Sequence, residues 1–127
     1  MRICLISREY PPDTGWGGVG AYTYQTANAL KKIGHDVEVI SLAAESGITS
    51  SGVVIHRVEW ENALSELNLF LITAESSHAV LKSGMAIWKK FIELHKQSPF
   101  DVVEAPEHLA QGFFQSITKN VPLVLTL

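Results

Sequence analysis

With one cysteine, Cys4, the 127-residue chain can form no disulfide within itself. A lone thiol favours a reducing compartment, and we expect a cytoplasmic protein. Long hydrophobic runs are missing too. The best candidate, Leu67 to Ala74, is interrupted by Asn68 and Thr73, well short of the roughly 18 apolar residues of a membrane span. The opening residues Met1 to Ser7 are too few for a signal-peptide core and run straight into Arg8-Glu9. Charge is sparse at 18%, with 10 basic against 13 acidic side chains and a net −3. That argues against a duplex-DNA binder running on bulk positive charge, leaving only a local basic face open, and no nucleic-acid partner is expected. A Gly-Lys-Ser/Thr phosphate loop and a Gly-x-Ser-x-Gly nucleophile elbow are both absent. A cysteine-based zinc site is likewise excluded. What remains is 46% apolar residues, enough to bury a core.

The apolar pattern alternates between two periods. Ile3 to Ser7 is a nearly continuous apolar run, as in a strand buried on both faces. A turn-rich stretch follows, in which Pro11 and Pro12 forbid helix and Gly15, Gly17, Gly18 and Gly20 permit unusual backbone angles. Val19, Tyr22, Thr26, Leu30 and Ile33 then recur every three or four residues, one face of a helix. Lys31 and Lys32 suit its last turn, and Gly34 suits a left-handed cap. Val37 to Leu42 reads as a second strand, completing a right-handed crossover unit. Ala43 to Gly52 reads as a loop and Val53 to Val58 as a third strand. Ala63, Leu64, Leu67 and Phe70 suggest a helix, although Leu71 to Thr73 suit extended chain equally. A long helix is expected over Glu75 to Gln97, with Leu81, Met85, Trp88, Phe91 or Ile92, and His95 on one face. Ser98-Pro99 stops it. Phe100 to Ala105 reads as a fourth strand. Pro106 fits the first turn of a helix carrying Leu109, Phe113 and Ile117, and Val121 to Leu127 reads as a fifth, central strand. The fold class is α/β, a Rossmann-like parallel sheet with helices on both faces. Because the chain ends on a bare hydrophobic strand, we expect it to be truncated before the last strands of its domain.

The glycine loop from Glu9 to Gly20 carries the strongest chemical signal. In an open parallel sheet, ligands gather outside the carboxyl ends of the strands, where this loop lies. Glycines let backbone N–H groups approach an anion, and the positive end of the following helix points to the same place. A phosphate or diphosphate is the natural guest; a glycine-rich turn without a ligand is the competing explanation. After the second strand, Ala43-Ala44-Glu45 offers a weak ribose-binding acid. His35, between a capping glycine and a strand, reads as structural; His56, His78 and His95 are scattered on separate elements. Lys82, Lys89 and Lys96 recur every seven residues, with Lys90 adjacent, a basic stripe interrupted by Glu93. It is either a solvated helix face or a contact with an anionic membrane surface.

Tyr10-Pro11-Pro12, then Gly17-Gly18-Val19-Gly20, then Leu30 to Ile40 with its Gly34-His35-Asp36-Val37 core, resembles the opening of glycosyltransferase family four. Phe100 to His108 resembles that family's fourth strand and following loop, and Pro122 to Leu127 its fifth. The resemblance implies a GT-B architecture of two Rossmann-like domains, of which residues 1–127 would be the N-terminal, acceptor-side one, incomplete at its C-terminus. It implies transfer of a sugar from a nucleotide-sugar donor to a sugar or lipid-linked acceptor, with anomeric configuration retained and no metal or other cofactor. Carried over by position, Gly17 and Gly18 would face the donor diphosphate and Gly20 would permit the tight entry into the helix. Asp13, Trp16, Glu104, Glu107 and His108 would shape the acceptor site, although Trp16 could equally pack against the loop, Glu107 could instead complement a helix start and His108 could be solvated. The catalytic residues would lie beyond Leu127, and donor binding would belong to a C-terminal domain. Two other readings stand beside this one: a non-catalytic phosphate- or nucleotide-binding module, and a nucleotide-sugar epimerase of similar architecture.

Overall fold

Strand β1 (Arg2–Ile6) lies inside the sheet, flanked in parallel by β2 (Asp36–Leu42) and β5 (Val102–Pro106) in this computed structural model, which describes residues 1–12, 17–42, 47–49, 51–59 and 75–127. Its apolar run is explained by burial on both faces: Ile3 and Leu5 enter one core cluster, Cys4 and Ile6 the other. Strand β4 (Val54–Val58) extends the sheet beyond β2, and β6 (Leu123–Thr126) extends it beyond β5, both in parallel. A two-residue strand, β3 (Gly47–Ile48), pairs antiparallel with β4, inside the stretch expected to be loop. The order is β3-β4-β2-β1-β5-β6.

Helix α1 (Gly18–Lys32) covers the face bearing Ile3, Leu5, Val37 and Val39. Its buried line is Gly20, Thr23 and Ala27, flanked by Tyr24 and Leu30. The expected line through Tyr22, Thr26 and Ile33 is therefore rotated; Ile33 is 70% exposed. Small side chains let the helix lie close to the sheet, and this outweighs the larger apolar residues beside them. Its C-terminus is capped as expected. Gly34 has φ +94°, its N–H donates to the Lys31 carbonyl at 3.0 Å, and the His35 N–H donates to the Leu30 carbonyl at 3.1 Å.

Helix α2 (Glu75–Gln97) covers the opposite face through Ile87, Phe91 and Leu94, so the seam includes Ile87 and Leu94 beside the expected Met85 and Phe91. His95 packs at its edge: Nδ1 accepts the Phe100 N–H at 3.1 Å, and the ring stacks near Phe91 and Phe100. The expected helix over Ala63 to Phe70 lies outside the described residues.

The segment after β5 corrects the sequence reading. Pro106 ends the strand instead of opening a helix. Pairing with β1 has already stopped at Glu104, so the missing proline N–H breaks no ladder there. A 3-10 turn, His108–Ala110, follows, with Leu109 and Ala110 both left-handed (φ 58° and 48°), and only then the short helix α3 (Phe113–Thr118). Leu109, Phe113 and Ile117 all face outward, while Phe114 and Gln115 are buried. Strand β6, expected to be central, pairs only with β5 among the described residues, and Val124 and Leu125 are exposed.

Candidate functional site

The order of the strands locates the site. From β1 the chain moves outward through β2 to β4, then returns across the sheet to β5 and β6. The direction of winding reverses between β1 and β5, and loops leaving their carboxyl ends must diverge and open a crevice. A cleft of about 550 Å³ lies there. Arg8 and Glu9 following β1, and Gly17, Gly18 and Val19 at the start of α1, form one wall; Leu42 ends β2, and His108, Leu109 and Gln111 following β5 form the other wall.

The glycine wall presents backbone. Gly17 is the N-cap of α1 and has no side chain with which to bond the first-turn amides; the helix also has no acidic residue in its first turn. The amino end of α1 therefore opens into the cleft with its N–H groups and partial positive charge. A Cβ at Gly18 would meet nothing within 4 Å, whereas one at Gly17 would lie 2.6 Å from Glu9 Oε2. Gly17 thus makes room for the Glu9 carboxylate, an exposed flexible group beside the helix start. Gly20 is buried, in the first turn of the helix. Gly15, Gly17 and Gly20 have Gly-x-Gly-x-x-Gly spacing, although Gly15 lies outside the described residues.

Buried polar groups hold the walls. Arg57 at the end of β4 donates from Nη2 to the Tyr10 carbonyl at 2.7 Å and from Nη1 to Ser41 Oγ at 3.1 Å. It thereby pins the base of the glycine loop to β2 and β4. Burial, with a smaller contribution from Tyr24 and opposed by Arg57, pushes the Tyr10 phenol up to about 12. On the other wall, Gln111 Oε1 accepts the Arg8 backbone N–H at 2.7 Å, and its Nε2 donates to the His108 carbonyl at 3.2 Å. Neither Arg57 nor Gln111 stands out in the sequence, because their roles depend on contacts with Tyr10 and Arg8, 47 and 103 positions away.

Of the expected acceptor residues, His108 lines the cleft. Glu107 is exposed, with its backbone N–H bonded to the Thr126 carbonyl at 2.9 Å, and it stands outside the cleft lining. Glu104 is held beneath the neighbouring surface: Oε1 accepts the Tyr22 hydroxyl at 2.8 Å and the Thr126 hydroxyl at 2.7 Å, so it joins α1, β5 and β6. Asp13 and Trp16 lie outside the described residues. His56 is spent at the other end of the sheet, its Nε2 2.6 Å from Glu38 Oε2, with Arg2 on the second side of that carboxylate. The lysine stripe stays on α2, where Lys90 pairs with Glu93 at 2.9 Å and Lys89 and Lys96 are exposed. Among the described residues, no three His, Cys, Asp or Glu side chains group as a metal site would, and no helix is long and apolar enough to cross a membrane.

A family model described as the starch synthase catalytic domain matches residues 2–111. No curated protein sequence matches the chain. Among solved structures, sucrose-phosphate synthase from Thermosynechococcus elongatus is similar at a TM-score of 0.62 and 14% identity, over 98% of this chain and 31% of that one. A shorter structure of the same enzyme gives 0.60 and 13%, over 98% and 61% of the two chains. At these identities the likeness establishes the fold. The chain spans about a third of the longer structure's length and less than two thirds of the shorter one's.

Proposed function

Because the chain belongs to the starch synthase catalytic-domain family, and so to the GT-B glycosyltransferases, we propose that it forms the N-terminal, acceptor-side domain of an enzyme moving a sugar from a nucleotide-sugar donor to an acceptor with retention of configuration. The resemblance to family four and the match to the starch synthase family meet at this architecture. The family match favours sugar transfer over a non-catalytic phosphate-binding module and over an epimerase.

One observation carries the reading: the amino end of α1, carrying no side-chain cap at Gly17, opens at Gly17 and Gly18 into the cleft between β1 and β5. When the glycosidic bond to the donor breaks, negative charge develops on the departing diphosphate. Preorganised N–H groups at a helix start stabilise that charge without rearranging, and Arg8 on the same wall adds a cation. Gly20 lets the helix pack tightly on the sheet, so its first turn reaches the crevice. His108, across the cleft, faces the acceptor hydroxyl, while Glu104 supports α1 from below. This division of labour needs no metal ion, because amides and Arg8 neutralise the leaving group. The groups that grip the nucleotide belong to a further domain of the full-length protein.

The test is Gly18→Val in the full-length enzyme. A Cβ at Gly18 meets nothing within 4 Å among the described residues, so the added side chain projects into space the ligand would use; circular dichroism and the melting temperature check that the variant keeps the fold. Donor and nucleoside diphosphate affinity should fall by about tenfold or more, equivalent to roughly 1.4 kcal/mol. Calorimetry showing unchanged affinity, together with an unchanged rate, would remove the glycine loop from the mechanism.

A further inference from the structure

Gln111 is one of the few polar side chains that the fold buries almost completely, at 3% exposure. Both ends of its carboxamide are used, and they reach different walls of the cleft: Oε1 takes the Arg8 N–H, and Nε2 gives to the His108 carbonyl. A buried amide so placed is costly to leave half-paired, so the two loops are coupled through it. The loop it holds is under strain. Leu109 and Ala110 are consecutive non-glycine residues in the left-handed region, and besides Gln111 the turn is closed by the Ala110 N–H donating to the Glu107 carbonyl at 2.8 Å. Such backbone persists where surrounding contacts over-determine it.

We propose that Gln111 is a positioning residue: its carboxamide sets the separation between the Arg8 wall, which meets the donor phosphates, and the His108 wall, which meets the acceptor. The inference rests on the sugar-transfer reading above for what the two walls bind, but the bridge itself is a property of this chain. It acts on geometry, and reacting groups displaced by about 1 Å lose on the order of 100-fold in rate. Loss of the bridge therefore lowers kcat more than it raises KM.

The test compares Gln111→Leu and Gln111→Glu in the full-length enzyme, at a temperature where both are fully folded. Gln111→Leu removes both bonds and should lower kcat by about 10- to 100-fold with KM changed less than about threefold. Gln111→Glu keeps the acceptor for Arg8 N–H, but when ionised it faces the His108 carbonyl with a lone pair instead of a proton. When protonated, its carboxyl reproduces the carboxamide. Arg8, Glu9 and His108 line the same cleft in both proteins, so the quantity read is the ratio of variant to wild-type kcat at each pH. That ratio should climb as the pH falls from about 8 towards 5.5, burial having raised the introduced carboxyl, while the ratio for Gln111→Leu stays flat. Unchanged kcat in Gln111→Leu, or a flat ratio for Gln111→Glu, would overturn the proposal. Amide exchange separates this outcome from failure of the sugar-transfer reading. Even if the wild-type protein transfers no sugar, Gln111→Leu should lose protection at the Arg8 and Ala110 amides together. Retained protection at either would show that the walls are not joined through Gln111.

Discussion

Tyr10 shows how a single side chain records its surroundings. Its phenol titrates near 10 in the unfolded chain, and burial pushes it up to about 12 in the folded one. Between those values the unfolded state releases a proton that the native state keeps. Stability from this group is therefore complete below pH 10 and falls as the pH rises towards 12. Urea midpoints measured over that range should decline more steeply for the wild type than for Tyr10→Phe, which retains the backbone carbonyl that Arg57 binds. Equal slopes would mean that the phenol is solvated in the native protein. At this scale the sequence revealed the glycines but not their separate duties. Gly17 and Gly18 are adjacent and alike in sequence, yet one has Glu9 against it and the other faces open space. Only the position of Glu9, eight residues earlier, distinguishes them.

Elements were legible where a period was long and its ends were marked. Helix α1 is announced by glycines before it and Gly34 after it, and α2 by 23 residues ending at Ser98-Pro99. Helix α3 was misread because Leu109, Phe113 and Ile117 have helical spacing, while the two left-handed residues at 109 and 110 rotate the following turn away. The result turns Phe114 and Gly112 inward. A Cβ at Gly112 would lie 3.0 Å from Ala105 Cβ and 3.3 Å from Leu125 Cδ2. Gly112→Ala should therefore push α3 off β5 and β6 and cost about 1–3 kcal/mol, as overpacked contacts do. Denaturant unfolding is the measurement, and an unchanged midpoint would show that α3 shifts without resistance.

Across the whole molecule, the sheet is held most firmly where strands are paired on both sides. Strands β1, β2 and β5 are paired on both sides, β4 is paired along β2 but only with the two residues of β3 on its other side, and β6 pairs along one edge. Amide exchange should accordingly be slowest in β1, β2 and β5 and fastest in β3 and β6. Equal protection in β6 and β1 under conditions that keep the chain monomeric would contradict this order. The cleft lies at the carboxyl ends of the protected strands, so its walls rise from the stiffest part of the fold. That arrangement suits the proposed role, which requires anionic oxygens to be held at fixed distances.

Local chemistry was enough to specify the α/β class, the crossover from β1 through α1 to β2, and a glycine-rich entry into α1. Each depends on periodicity, proline and glycine within short stretches of chain. Contacts across the fold decided that Glu9 lies against Gly17 and not Gly18, that Glu104 is engaged by Tyr22 and Thr126, and that Gln111 and Arg57 brace the two walls. The physical reason is that a hydrogen bond between distant residues leaves no periodic trace in the sequence. An ordinary glutamine or arginine becomes exceptional only when folding removes its water and brings a particular carbonyl or amide within 3 Å.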